Sequence, residues 1–316
     1  MTPIYISICF KVIFYCFKKR PLRKFLELAK SVTGWILFII LAVIWGSSFI
    51  LMKLGMQALS AYQVAAIRIL SAAIVLVPFG VKAFKNVAKE KRVFVILSGL
   101  LGSFFPAFLY CLAETRIDSS LAAILNSLTP LFTIIIGVTF FKLTAGVKKI
   151  IGVIIGFTGL VLLPFATHQG ISFNDLSYAS LVLLATICYA CNVNMVSRYL
   201  QQTASLHVAA LSFSFLLIPA FIILAATGYF QLPLLQPTYL HATLASALLG
   251  VMGTAVATIL FYMLVKKEGP LFASLVTYGI PIIAVIWGLL YGETITLAEI
   301  GCLIIILAGV YMVNKK

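Results

Sequence analysis

Long apolar runs follow one another along this chain, near residues 34–54, 63–82, 93–113, 119–141, 148–166, 177–197, 206–227, 241–265, 270–291 and 296–314. Most approach the roughly 20 residues an α-helix needs to cross the hydrocarbon core of a bilayer. Backbone polar groups in lipid must be satisfied within a helix or around a closed barrel. A barrel would alternate apolar and polar residues in pieces of about ten, which continuous runs such as Ile150–Phe165 exclude. Composition agrees, with 63% of the 316 residues hydrophobic and 10% charged, against ~45–50% and ~25% in an ordinary soluble domain. The expected fold is an all-α membrane protein of ten transmembrane helices. Soluble enzymes, secreted disulfide scaffolds and DNA-binding domains are excluded. Residues 1–17 have no basic start and no A-x-A site, so no cleavable signal is expected.

The net charge of +15 suggests topology before nucleic acid, because Lys and Arg gather in cytoplasmic loops. With the N-terminus inside, the cytoplasmic segments hold Lys11, Lys18, Lys19, Arg20, Arg23, Lys24 and Lys30; Lys82, Lys85, Lys89, Lys91 and Arg92; Lys142, Lys148 and Lys149; Arg198; Lys266 and Lys267; Lys315 and Lys316. The outer loops hold only Arg116, and Lys53 and Arg68 lie within spans. The partition predicts a multi-pass protein of the cell membrane with both termini cytoplasmic. Its surroundings are lipid bilayer rather than nucleic acid. Residues 1–32 read as a basic cytoplasmic tail, with an interfacial helix as an alternative for its first part. Cys188 and Cys191, on an apolar helix, read as small packing residues rather than a redox pair.

Pro130 and Pro281 stand 151 residues apart, and the same offset pairs Gly99 with Gly250, Gly102 with Gly253 and Gly137 with Gly288. The chain therefore reads as two five-helix halves, 33–166 and 177–314. Five is odd, so the second half enters the membrane from the opposite side. Inverted repeats of this kind are a hallmark of transporters.

The run Trp45-Gly46-Ser47-Ser48-Phe49 followed by Lys53, then Ala65-Ala66-Ile67-Arg68, resembles the opening of EamA-like members of the drug/metabolite transporter superfamily. Ser119-Ser120-Leu121-Ala122-Ala123 leading to Pro130, and Gly292-Glu293 with Gly301 and Gly309, fit the same family. The resemblance covers about residues 33–314. It implies a ten-helix exporter or exchanger of small metabolites. Lys142 departs from it, standing where the first repeat usually has an acidic residue.

Arg68 is the deepest charge, about six residues or ~9 Å inside the outer end of its span. An intramembrane charge is expensive and marks a functional site by default. Its planar fork suits an anionic substrate group; the alternative is a snorkelling or helix-bracing role paired with Glu114. Lys53, nearer the surface, is a weaker binding candidate and otherwise an interface anchor. Pro130 and Pro281 remove the hydrogen bonds to the carbonyls of Asn126 and Thr277, a gating or structural role. A midplane cavity lined by Asn126, Thr129, Thr277 and Tyr278 follows, unless neighbouring hydroxyls satisfy those carbonyls. Trp45 and Ser48 correspond to Tyr189 and Asn192 in the second half, all cavity candidates, with Asn194 also inward. The family resemblance adds Tyr110.

No Walker A pattern is present, and the acidic residues sit in the tail, loops or span ends, so neither an ATP motor nor a midplane carboxylate relay is expected. The histidines have no metal-ligand spacing, and no cofactor is expected. Gly152-x-x-x-Gly156 fits helix packing within the chain or between two copies, so the chain is expected as a monomer or homodimer. The expected function is secondary transport of a small polar metabolite such as an amino acid, by alternating access. The alternatives are a channel or lipid scramblase, and an intramembrane enzyme, for which no nucleophile–base pair or metal set is visible.

Overall fold

The structure is a computed structural model that describes residues 32–117, 119–166, 176–290 and 296–314. The N-terminal tail, His168 and the Gly292-Glu293 motif lie outside the described residues. The described chain is helical, without strands. Its segments are α1 (Val32–Met56), α2 (Ala61–Asn86), α3 (Lys89–Ala113), α4 (Ser119–Asn126 continuing as Thr129–Phe141) and α5 (Val147–Ala166). They continue as α6 (Leu176–Tyr199), α7 (Ser205–Ala226), α8 (Pro237–Glu268), α9 (Pro270–Ser274 continuing as Val276–Leu290) and α10 (Leu297–Asn314). Six of them, α1–α3 and α6–α8, are long and apolar enough to cross a membrane on their own. Two of the others are interrupted: α4 breaks at 127–128, just before Pro130, and α9 breaks at Leu275.

Two short connections show how the sequence closes its turns. Ser60 and Gln63 form a capping box at the start of α2, satisfying two of the helix's orphan donors. The same Gln63 donates through Nε2 to the carbonyl of Thr227, the C-cap of α7, at 3.0 Å. Arg92 folds back over the ring of Phe84 at 3.7 Å and donates to its carbonyl, clamping the turn from α2 to α3.

Helix α2 packs chiefly on α7, and α5 on α10. The first pair meets at Gly80, where a Cβ would run into the Ser214 side chain and lie 3.7 Å from the carbonyl of Ala210, a small residue that lets the backbones approach closely. In the second pair Gly152 and Gly156 face Gly309 of α10. The Gly-x-x-x-Gly of α5 is thus taken up by packing inside the chain. Large apolar side chains such as Val81, Phe140 and Ile218 cover the outside, a patch far larger than soluble monomers expose.

Helices α3 and α8 each contain a π-helical stretch, Leu100–Phe104 and Leu249–Val256. These stretches overlap at the 151-residue offset that relates Gly102 to Gly253. A second offset, 144, relates α1 and α2 to α6 and α7. A Cβ on Gly253 would lie 2.8 Å from Ser48 Oγ, and one on Gly102 would lie 2.8 Å from Asn192 Cγ, 144 residues after Ser48. Likewise Gly99 packs on Ser212, and Gly250 on the backbone of Arg68, 144 residues before Ser212. The difference between the offsets is taken up largely by the longer connection 227–236.

Candidate functional site

A cavity enclosing about 960 Å³ of empty space, its open mouth included, lies among α1, α2, α3, α4, α6, α8 and α9. Of the residues singled out from the sequence, Trp45, Ser48, Arg68, Tyr110, Asn126, Thr129, Tyr189, Asn192 and Thr277 line it. Two stand apart. Lys53 is exposed on α1. Tyr278 is fully buried on the far side of α9, where its ring fills the space over Gly156 and its hydroxyl donates to the carbonyl of Val153 at 2.9 Å.

Arg68 is the only charged residue among the described ones that line the cavity. Its Nε donates to Thr254 Oγ1 at 2.7 Å. Trp45 donates from Nε1 to the carbonyl of Gly253 at 3.1 Å. Both bonds reach the π-helical stretch of α8, whose irregular backbone turns a carbonyl and a hydroxyl toward α1 and α2; π-bulges of this kind recur at functional sites.

The hydroxyls of the wall are largely satisfied by their own helices. Ser48 donates to Ile44 O at 2.7 Å, Ser274 to Leu271 O at 2.7 Å, and Thr277 to Ser274 O at 2.9 Å. Thr129 donates to the carbonyl of Asn126 at 2.6 Å. The carbonyl that Pro130 frees is therefore capped by a hydroxyl from the next turn, the outcome expected if neighbours satisfy it. Such hydroxyls offer acceptor lone pairs and methyl groups to the cavity. Asn194, also expected to point inward, braces α6 to α4 by donating to Thr133 O at 3.0 Å and Ala190 O at 2.9 Å. Pro130 and Pro281 are buried beside the site.

Two ring pairs flank the space. Trp45 meets Phe261 with centroids 5.2 Å apart, and Tyr110 stacks on Tyr189 at 6.2 Å. Sequence reading missed Phe49, Met52, Ser103, Thr254, Thr258, Phe261 and Tyr262, which also line the cavity. Part of this was visible: Thr254, Thr258 and Tyr262 recur every fourth residue, a polar stripe on one face of an apolar span.

Comparison with known proteins fits this geometry. An uncharacterized transporter of Archaeoglobus fulgidus is 25% identical over 298 residues, covering 89% of this chain and 99% of its own. An S-adenosylmethionine uptake transporter of Rickettsia bellii is 30% identical, covering 73% of this chain and 74% of its own. A solved structure with 16% sequence identity shares the fold, with a TM-score of 0.67 over 90% of this chain and 96% of that one. The sequence profile of the EamA-like transporter family matches residues 32–165 and again 176–315. On this double match, and with apolar helices surrounding a polar cavity, the chain belongs to the EamA-like transporter family and is a membrane transporter.

Proposed function

We propose that the protein is a secondary transporter, an exporter or exchanger, that moves small polar metabolites such as amino acids across the cytoplasmic membrane by alternating access. It does so as ten spans in two inverted five-helix repeats, with both termini cytoplasmic. The two family matches, the paired π-helical stretches and the contacts that recur at two offsets support the repeat. The observation that carries the function is Arg68, a lone cation on a cavity wall. Arg68 is half-buried, and a charge within a span is expensive, ~2.5–3.5 kcal/mol at a helix centre on insertion scales, so it calls for an anionic partner. With Nε engaged by Thr254, the edge bearing the two terminal nitrogens is the one a carboxylate would meet in bidentate fashion. The relative named for S-adenosylmethionine uptake supports a small-metabolite cargo.

The test is counterflow. Proteoliposomes preloaded with unlabelled metabolites, drawn from a panel whose efflux changes between deletion and overexpressing cells, are given the labelled form outside. A transporter shows trans-stimulated uptake that decays. A channel shows no trans-stimulation, and that result would overturn this reading.

A further inference from the structure

The offsets that relate the two halves also expose where they differ. Tyr110 matches Phe261, Asn192 matches Ser48, and Arg68 matches Ser212. The ring pair Tyr110–Tyr189 is thus the counterpart of Trp45–Phe261. At each matched position the more polar side chain lies on α2, α3 or α6, three helices in which α3 packs on both others. Across the cavity stand Trp45, Phe49 and Phe261. The α2–α3–α6 side carries the cation and the carboxamide and forms the polar wall; the opposite side carries the larger aromatic surface, together with the hydroxyls of Ser48, Thr254, Thr258 and Tyr262.

The polar wall carries two unanswered atoms. Tyr110 is 5% exposed and Asn192 2% exposed, both line the cavity, and neither Tyr110 Oη nor Asn192 Oδ1 has a hydrogen-bond partner. The orientation of the carboxamide follows from its neighbour. Tyr262 Oη donates to the carbonyl of Ser98 at 3.4 Å, and Asn192 Nδ2 and Tyr262 Oη both face Gly102. Its proton being engaged, Tyr262 accepts from the Asn192 NH₂, which turns Oδ1 the other way. Buried polar atoms without partners are rare and individually destabilising. A ligand removes the penalty by supplying what they lack. Asn192 Oδ1 can only accept and Tyr110 Oη can accept as well, so the group that answers both is an N–H donor with more than one proton. Arg68, on the lining of the same cavity, holds the opposite charge.

We propose that Tyr110 and Asn192 are specificity-determining residues that hold the free amino group of a substrate whose anionic group lies on Arg68. The cavity then selects amino-bearing acids over their N-acylated or deaminated analogues, with Trp45, Phe49 and Phe261 beside the rest of the molecule. This rests on the transporter reading above and names the cargo chemistry of the same cavity. Both atoms are shut off from water in this conformation, so the bonds form as the substrate seats between α3 and α6.

The experiment uses the full chain in proteoliposomes, with labelled proteinogenic L-amino acids as counterflow probes and their N-acetyl and 2-hydroxy-acid analogues as competitors. In the wild type the analogues should compete about tenfold or more weakly than the parent, as loss of a charge-assisted hydrogen bond implies. In Tyr110→Phe and Asn192→Leu this gap should narrow to about threefold or less. Tyr110→Phe should also raise the Tm of the empty protein, because it deletes a buried hydroxyl that bonds nothing, and it carries the test if Asn192→Leu does not reach the membrane. An unchanged gap in Tyr110→Phe, or a lowered Tm, overturns this inference and leaves the transporter reading standing. Absence of counterflow with every amino acid, while another metabolite exchanges, overturns the inference through its cargo chemistry instead.

Discussion

Arg68 on α2 donates to Thr254 on α8 across 2.7 Å, so the one charge on the cavity wall is oriented by a residue from the other half of the chain. The donor belongs to a regular helix and the acceptor to a π-helical stretch. A movement of one half against the other must carry this bond or break it. The site and the mechanism are linked at that point.

Arg68→Lys keeps the charge but loses both the Nε donor and the planar fork. Initial transport rate should fall about tenfold or more, with membrane abundance close to wild type. Thr254→Val leaves the guanidinium in place without its tether and should raise KM more than it lowers kcat. The check is rate against substrate concentration, normalised to protein in the membrane. Normal transport by Arg68→Lys would assign the residue to bracing helices.

Tyr278 serves as a strut between α9 and α5. Tyr278→Phe removes one buried hydrogen bond, worth ~0.5–1.5 kcal/mol, and should lower Tm while leaving substrate preference unchanged. Gly156→Ala would bring a Cβ within 2.5 Å of Tyr278 Cε2 and should cost about 1–3 kcal/mol by overpacking. Thermal unfolding measured beside a competition panel separates stability from selectivity. A changed preference in Tyr278→Phe would return this residue to the cavity.

Thr129 and Pro130 form a compensating pair. Thr129→Val leaves the Asn126 carbonyl without its 2.6 Å partner and should destabilise by ~1–3 kcal/mol. Adding Pro130→Ala supplies a backbone N–H for the same carbonyl, so the double variant should regain part of the lost Tm. Its transport should stay low, because the break that shapes the cavity wall is repaired. A double variant less stable than Thr129→Val would show that the proline does not act through this carbonyl.

Labelling of single cysteines tests the topology. Leu235, in the α7–α8 connection, is 92% exposed. In a background without native cysteines, Leu235→Cys should react with an impermeant thiol reagent from outside. Lys85→Cys, near the α2–α3 turn, should react only after permeabilisation. Reversed labelling at both positions would sink the N-inside, ten-span arrangement.

Hydropathy and the spacing of Gly and Pro were enough to locate the helical segments and the 151-residue offset, because lipid permits only continuous helices and because Pro130, Pro281 and the paired glycines mark close backbone approach. The facing of individual side chains was less accessible. Thr277 and Tyr278 both follow the break at Leu275, and the ~100° step between helical neighbours leaves Thr277 on the cavity and Tyr278 against α5. The π-helical stretches carry no residue signature of their own, yet each shifts the helical phase. That shift hid Phe261. Lys53 follows Met52, which lines the cavity, but the ~100° step between neighbours turns it outward.

The central claim is that one cavity serves both sides of the membrane in turn. Ser48→Cys, on the cavity wall beside Gly253, tests it most directly. Its reaction rate with an impermeant maleimide is measured from outside and, in inverted vesicles, from inside, with and without a substrate identified by counterflow. The account predicts labelling from both sides, slowed by bound substrate in each case. Labelling from one side only, at a rate that substrate does not alter, would contradict it.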